Sequence, residues 1–263
     1  MDKSSFSGIL IALGGIVAGM MLEGGRIGQI LQPTAAMIVF GGTIGAVMVQ
    51  FPLATIGSAL KNLARVFFSN PPDGEAVVRQ LVTFANKARR SGIVSLDHEL
   101  ESLKDPFLKQ ALMLAVDGTE PAELRKIMQL YLDIRSELEE RIPQVFESAG
   151  GFSPTIGIIG AILGLIQVMQ HLDNMTEVGR GIAVAFVATI YGLGVANIIC
   201  LPAAGKLKIR YREEHIQKEL MLEGVIAILE GMNPRMVELK LRTFLEEEAD
   251  QPAQPVQPES VKV

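Results

Sequence analysis

Residues 154–172, PTIGIIGAILGLIQVMQHL, and 181–203, GIAVAFVATIYGLGVANIICLPA, contain no Asp, Glu, Lys or Arg. Crossing the hydrocarbon core of a bilayer takes about 20 such residues in a helix. Residues 6–22 and 34–51 are equally free of charge, so the chain reads as having four membrane spans. A mean hydropathy of +0.33 beside 20% charged residues agrees, because the charge must then be gathered into a few regions. Lys3 precedes the first stretch as it would in a signal peptide. Gly19-Met20-Met21-Leu22-Glu23 offers no small-x-small cleavage site, however, and the stretch is read as a span.

The second stretch stops at Pro52. Pro154 is expected to open the third helix, since a proline in the first turn forfeits no hydrogen bond. Of the 24 Lys and Arg residues, twelve lie between the second and third stretches and nine follow the fourth. Lys and Arg collect on the cytoplasmic side. Both termini and the central loop are therefore expected inside, with Arg26 and Arg180 in outward-facing loops. The fold class that follows is an all-α integral membrane protein, with four transmembrane helices and a helical cytoplasmic domain formed by the 2–3 loop and the C-terminal segment. Its expected parts are spans one and two in 1–52, a cytoplasmic helical loop in 53–153, spans three and four in 154–203, cytoplasmic helices in 204–248, and a disordered Gln-Pro tail in 249–263.

Within the loop, Val77, Val78, Leu81, Val82 and Ala85 predict a helix from Glu75 to Ser91, stopped by Gly92. A second helix is expected from Pro106 to Val116. A third opens at Pro121, with Leu124, Ile127, Leu130, Ile134, Leu138 and Ile142 as its apolar stripe. Residues 206–230 read as helix, and a short helix follows Pro234.

A net charge of −5 and a pI near 5.4 exclude a nucleic-acid footprint, which needs a basic face. The single Cys200 can form no internal disulfide and no metal cluster. His98, His171 and His215 are scattered, and neither a P-loop nor a His-x-x-x-His pattern is present. No enzyme, metal or cofactor is expected.

The most informative property of the spans is an absence. Ion pathways through membranes normally use an intramembrane carboxylate, and these four stretches contain none. If the chain conducts ions, a partner must bring the carboxylate. The polar atoms available to face it belong to Thr155, Gln167, Thr189, Tyr191 and Asn197, residues that hydrogen bonding between helices would also explain. His171 sits at the end of the third stretch, where solvation at the interface accounts for it. Pairs of small residues four apart, Gly41 and Gly45, Gly160 and Gly164, let helices approach closely, as do Gly8, Ala12, Gly15 and Gly19. The pattern alone does not say whether they approach within one subunit or between copies.

The run from Ser153 to Leu165, followed by Gly181 to Gly192, resembles the core of the flagellar stator A subunits, the MotA/PomA family. Glu223-Gly224-Val225-Ile226-Ala227-Ile228 with Gly231-Met232-Asn233-Pro234-Arg235, and Leu22-Glu23-Gly24-Gly25, are similar to that family's further signatures. The resemblance implies a stator subunit of the flagellar motor in the bacterial inner membrane. Five A subunits would ring two MotB/PomB-type B subunits, each supplying a membrane aspartate. Ion flux would turn the ring against the rotor switch protein FliG. Spans one and two would face membrane lipid and spans three and four would line the channel.

On this resemblance Thr155, Ala161, Thr189 and Tyr191 are assigned to the channel, Thr189 as the family's channel threonine. Pro154 and Pro202 are the prolines of conformational coupling. Arg89, Arg90, Asp97 and Glu99 are the rotor contacts. Sodium-type members carry threonine where this chain has Ala161 and Ala188, so the transported ion is expected to be H+. The ExbB/TolQ energisers of outer-membrane transport are the nearest alternative. They resemble a three-span plan with the long insertion after the first span, which four spans with the loop after the second disfavour.

Overall fold

The computed structural model describes residues 3–68 and 73–250, and within them every regular element is a helix. The helices are α1 (Lys3–Leu22), α2 (Pro33–Gln50), α3 (Leu53–Phe68), α4 (Gly74–Ser91), α5 (Pro106–Val116), α6 (Pro121–Gln170), α7 (Met175–Leu229) and α8 (Pro234–Asp250). Four of them, α1, α2, α6 and α7, contain apolar runs long enough to cross a bilayer. The fold class read from the sequence holds. Their starts are set by local chemistry: Asp73 accepts from the Ala76 amide at 3.0 Å, Asp105 from Phe107 and Leu108, and Asn174 from Thr176. Gly92, at φ 78°, ends α4 in a conformation other residues rarely adopt.

The chain divides into two compact units. One holds residues 1–70 and 137–211. In it Val47 of α2, Ala59 of α3, Val145 and Phe146 of α6, and Ala203, Ala204, Leu207 and Tyr211 of α7 share a core. A second cluster joins Ala35 and Val39 of α2 to Val184, Val187 and Ala188 of α7. The other unit holds 71–136 and 212–263. Its core is built from α4 (Val78, Leu81), α5 (Phe107, Leu108, Leu112), α6 (Leu124, Met128, Leu132), α7 (Leu220, Val225, Ile226) and α8 (Val237, Leu241).

Several boundaries differ from the sequence reading. Pro154 does not open a helix. It lies inside α6, which runs unbroken from Pro121 through Pro143 as well. An interior proline gives up one backbone bond at a cost of about 3 kcal/mol, and a 50-residue helix packed on several sides absorbs it. Pro202 likewise terminates nothing: a π-helical stretch, Val195–Cys200, precedes it, and α7 continues to Leu229. A wide π turn accommodates the missing donor and the bulk of the ring.

The stripe on α6 is also different. Leu124, Met128 and Leu132 are buried, whereas Leu130, Ile134 and Leu138 are 59, 53 and 52% exposed and Ile127 is 37% exposed. The packed face is rotated from the predicted one, because Met128 and Leu132, not Leu130 and Ile134, meet α5 and α7 in the core. Helix α3 precedes the first helix expected in the loop. Helix α8, expected to be short, spans 17 residues and reaches Asp250, two residues into the expected tail. The remainder of that tail, 251–263, lies outside the described residues.

Small residues bring α6 and α7 backbone to backbone. A Cβ on Gly157 would fall 2.9 Å from the Ala188 carbonyl oxygen, one on Gly160 2.8 Å from the Ala188 Cβ, and one on Gly164 2.8 Å from the Gly181 carbonyl oxygen. The Gly160 and Gly164 spacing therefore serves packing within one chain. At Gly8, Gly15, Gly19, Gly41 and Gly45 a Cβ would meet nothing within 4 Å. Gly164→Ala should accordingly cost about 1–3 kcal/mol through overpacking and lower the thermal midpoint of the purified protein. Gly15→Ala should leave the midpoint unchanged or slightly raised, by helix propensity. Equal midpoints for the two variants would contradict the backbone contact.

Candidate ion-conducting site

Three polar side chains of the third and fourth spans share one chemical property. Thr155 Oγ1 donates to the Phe152 carbonyl at 2.8 Å, Thr189 Oγ1 to the Ala185 carbonyl at 3.2 Å, and Asn197 Nδ2 to the Leu193 carbonyl at 3.0 Å. Each donates one hydrogen to its own helix and keeps an acceptor oxygen, the Asn197 amide retaining a second N–H. Thr155 and Asn197 are exposed and Thr189 is half-buried. Such oxygens suit a protonated carboxyl group, which has a proton to donate, or a cation. Around them the outward faces are apolar: Ile158, Ile162 and Ile166 on α6, Ile182, Phe186 and Ile190 on α7.

Tyr191 has a different occupation. Its hydroxyl donates to the Ile30 carbonyl at 2.5 Å and accepts from the Gln32 amide at 3.3 Å, and its ring lies 5.9 Å from that of Phe40. It ties the fourth span to the connection between the first two. Ala161 is half-buried. Ala188 is fully buried against Gly160, so a hydroxyl there would point between α6 and α7. His171 is exposed, with Nδ1 3.0 Å from the Gln167 carbonyl.

Two buried hydroxyls escaped the sequence reading. Ser153, wholly buried beside Pro154, donates to the Gly192 carbonyl at 3.0 Å and clamps α6 to α7. Thr43 Oγ1 is buried on α2 with no partner among the described residues. Neither has a signal in sequence, since serine and threonine are common on lipid-facing and packed faces alike.

In the other unit Arg89 and Arg90 occupy the last turn of α4, both exposed, and neither has an ion pair among the described residues. Asp97 is exposed as well. Glu99 is not free, being paired with Lys87 at 2.6 Å. The four expected rotor contacts therefore comprise two open cations, one open carboxylate and one neutralised pair.

The hub of this unit is Glu223, quoted above only as part of a signature. Its Oε1 accepts from Arg125 and its Oε2 from Lys240 at 2.7 Å, so one carboxylate joins α6, α7 and α8. Burial alone would push its pKa up. The hydrogen bonds from Arg125 and Lys240 outweigh burial and hold the group below the usual carboxylate range. The Arg125 guanidinium is correspondingly raised, first by its bond to Glu223. Arg125 lies 98 positions before Glu223 and Lys240 lies 17 after it, so local spacing gave no hint of the hub.

Two family profiles match the chain. One, described as Motility protein A N-terminal, covers residues 6–92, and the other, the MotA/TolQ/ExbB proton channel family, covers 99–220. The chain is 35% identical over 249 residues to Motility protein A of Bacillus subtilis (strain 168), covering 93% of this chain and 91% of that one. It superposes on a solved structure described as C. jejuni MotAB with a TM-score of 0.89 and 30% identity, covering 97% of this chain and 100% of the other. For the flagellar MotAB stator complex from Bacillus subtilis the values are 0.87 and 34%, covering 94% and 98%.

Glu223→Gln should destabilise the chain by about 2 kcal/mol at pH 7, the worth of hydrogen bonds to a charged group. Because the folded pKa is depressed, the wild-type contribution is present above the unfolded value and lost as pH falls through the folded one. The gap in thermal midpoint between wild type and variant should therefore narrow on acidification. A gap independent of pH would show that charge plays no part.

Proposed function

The chain belongs to the motility protein A family, within the MotA/TolQ/ExbB proton channel family, and we propose that it carries protons by lending acceptor oxygens to a carboxylate supplied by a partner. It is a multi-pass membrane protein and a stator subunit of the bacterial flagellar motor. The observation that carries the mechanism is the pairing of an absence with a presence: four spans without Asp or Glu, and hydroxyl oxygens at Thr155 and Thr189 whose hydrogens are already given to their own helices, together with the Asn197 amide oxygen.

A MotB-type partner brings the aspartate. When that group is protonated it donates to an acceptor such as Thr189 and is neutral enough to face the apolar surfaces around it. When it loses the proton its charge is unfavourable there, and the subunits rearrange. Proton coupling is favoured over sodium because Ala161 withholds a hydroxyl ligand that a hard cation would need; a hydroxyl at Ala188 would lie between α6 and α7 and is not counted. Copies of the chain form a ring of five around two partners in the inner membrane. The Lys and Arg distribution puts both termini in the cytoplasm. Arg89, Arg90 and Asp97 then meet FliG of the rotor, and Pro154 and Pro202 transmit the movement. No covalent chemistry is involved.

Swimming of a strain dependent on this chain should persist in sodium-free medium and stop on addition of a protonophore. The reverse pattern would overturn proton coupling. Arg89→Glu or Arg90→Glu should lower torque in a tethered-cell assay while the purified complex keeps its size; unchanged torque would remove these residues from the rotor contact.

A further inference from the structure

Pro202 leaves a gap in the hydrogen-bond ladder of α7, and the gap can be placed. The Leu201 amide bonds the Ala196 carbonyl, five residues back, as the π stretch requires. Its α-helical acceptor, the Asn197 carbonyl, goes without it, and Pro202 has no N–H for the Ile198 carbonyl. Two successive carbonyls therefore lose their usual helical donors within the last two turns of the fourth apolar stretch.

The same residues wall a groove. Asn197, Ile198 and Pro202 on α7 face Gly8, Ile9 and Ala12 on α1 across a space of about 480 Å³, within the membrane unit. Ile198 and Pro202, the two ends of the missing bond, both line it, so the freed carbonyl lies on its wall. The Asn197 side chain adds an acceptor oxygen and a second N–H, and Ser5 contributes a hydroxyl. The groove reaches Lys206, three residues past the apolar stretch, and so opens at the charged boundary of the membrane.

We propose that this groove is an aqueous crevice, admitting water from the boundary at Lys206 to the Asn197 and Ile198 carbonyls, and that it is the way out for the transported proton. A carbonyl without a donor in hydrocarbon costs several kcal/mol, and irregular backbone at that depth is tolerated where protein covers it or water reaches it. An acyl chain, or an apolar side chain of a second copy, would fill the groove and leave both carbonyls unpaired. Water supplies the donors. The space holds on the order of ten water molecules, each needing two to four polar partners, and the two carbonyls, Asn197 and Ser5 provide them. The outlet role rests on the conduction mechanism proposed above: Asn197 belongs both to that set of acceptor oxygens and to the groove wall. With the charged segments in the cytoplasm, the Lys206 end is the downstream end.

The test uses the full complex with its partner subunit, in membranes opened so that both surfaces are reached, and a charged maleimide on a Cys200→Ala background. Gly8→Cys and Ala12→Cys lie on the groove wall, whereas Leu10→Cys, at the same depth, lies on the opposite face of α1. Only a hydrated thiol ionises, so the first two should react at least about tenfold faster than the third. A Cβ at Gly8 meets nothing within 4 Å, and the variant should fold. Pro202→Ala returns an N–H to the Ile198 carbonyl and should slow the labelling of Ala12→Cys. In cells that swim by this complex, a permeant maleimide should slow the Ala12→Cys strain and not the Leu10→Cys strain. Equal labelling at the three positions would overturn the crevice, whichever ion drives the motor. Labelling indifferent to Pro202→Ala would overturn the part given to the carbonyl, and fast labelling without loss of swimming speed would overturn the outlet. Proton coupling itself is decided separately, by swimming without sodium.

Discussion

The contact on which the membrane unit depends is the backbone approach of the third and fourth spans. In lipid, apolar side chains gain little by meeting one another, so helices associate through close packing and hydrogen bonds. Gly157, Gly160 and Gly164 supply the first against Gly181, Ala185 and Ala188. Ser153 supplies the second by bonding the Gly192 carbonyl. With that seam closed, the large residues of both helices are left on the outer faces. The positions of Thr155, Thr189 and Asn197 are consequences of the seam, since each lies on a helix whose rotation it fixes.

On the proposed mechanism, that arrangement divides a physical cost between two proteins. An ionised group in a span is expensive to insert and must find a partner. A chain that carries only acceptor oxygens avoids the penalty, and each oxygen is already held in place by a bond to its own helix. Its spans can therefore fold in lipid before any carboxylate arrives. The motility-protein profile covering the first two spans fits this plan better than a three-span energiser does.

Much of this was legible in the chain. Charge-free runs gave the four spans, and Pro106 and Gly92 gave helix boundaries that the structure reproduces. What could not be read were features set by distant residues. Nothing local distinguishes Leu130 from Met128 on α6, because the face that packs is chosen by α5 and α7. Pro154 looks like a helix start until the preceding helix is known to run into it. Among the candidate site residues, the sequence suggested that Tyr191 and Thr189 act alike. Tyr191 is instead committed to Ile30 and Gln32, residues about 160 positions earlier. Glu223 stood in a recognisable signature, yet its meaning lies in Arg125 and Lys240.

The π turn before Pro202 carries one residue more than an α turn would. Each residue advances a helix by about 100°, so every side chain from Leu201 to Tyr211 stands about a quarter-turn away from where an uninterrupted helix would put it. Ala203, Ala204 and Leu207 reach the core only through that offset. The segment is thus a phase-setting element: removing a single residue from it would leave a continuous, well-bonded helix with the wrong side facing inward. Chain length here is constrained as tightly as residue identity, and an aligned gap within Val195–Cys200 would signal a different packing downstream, not a harmless shortening.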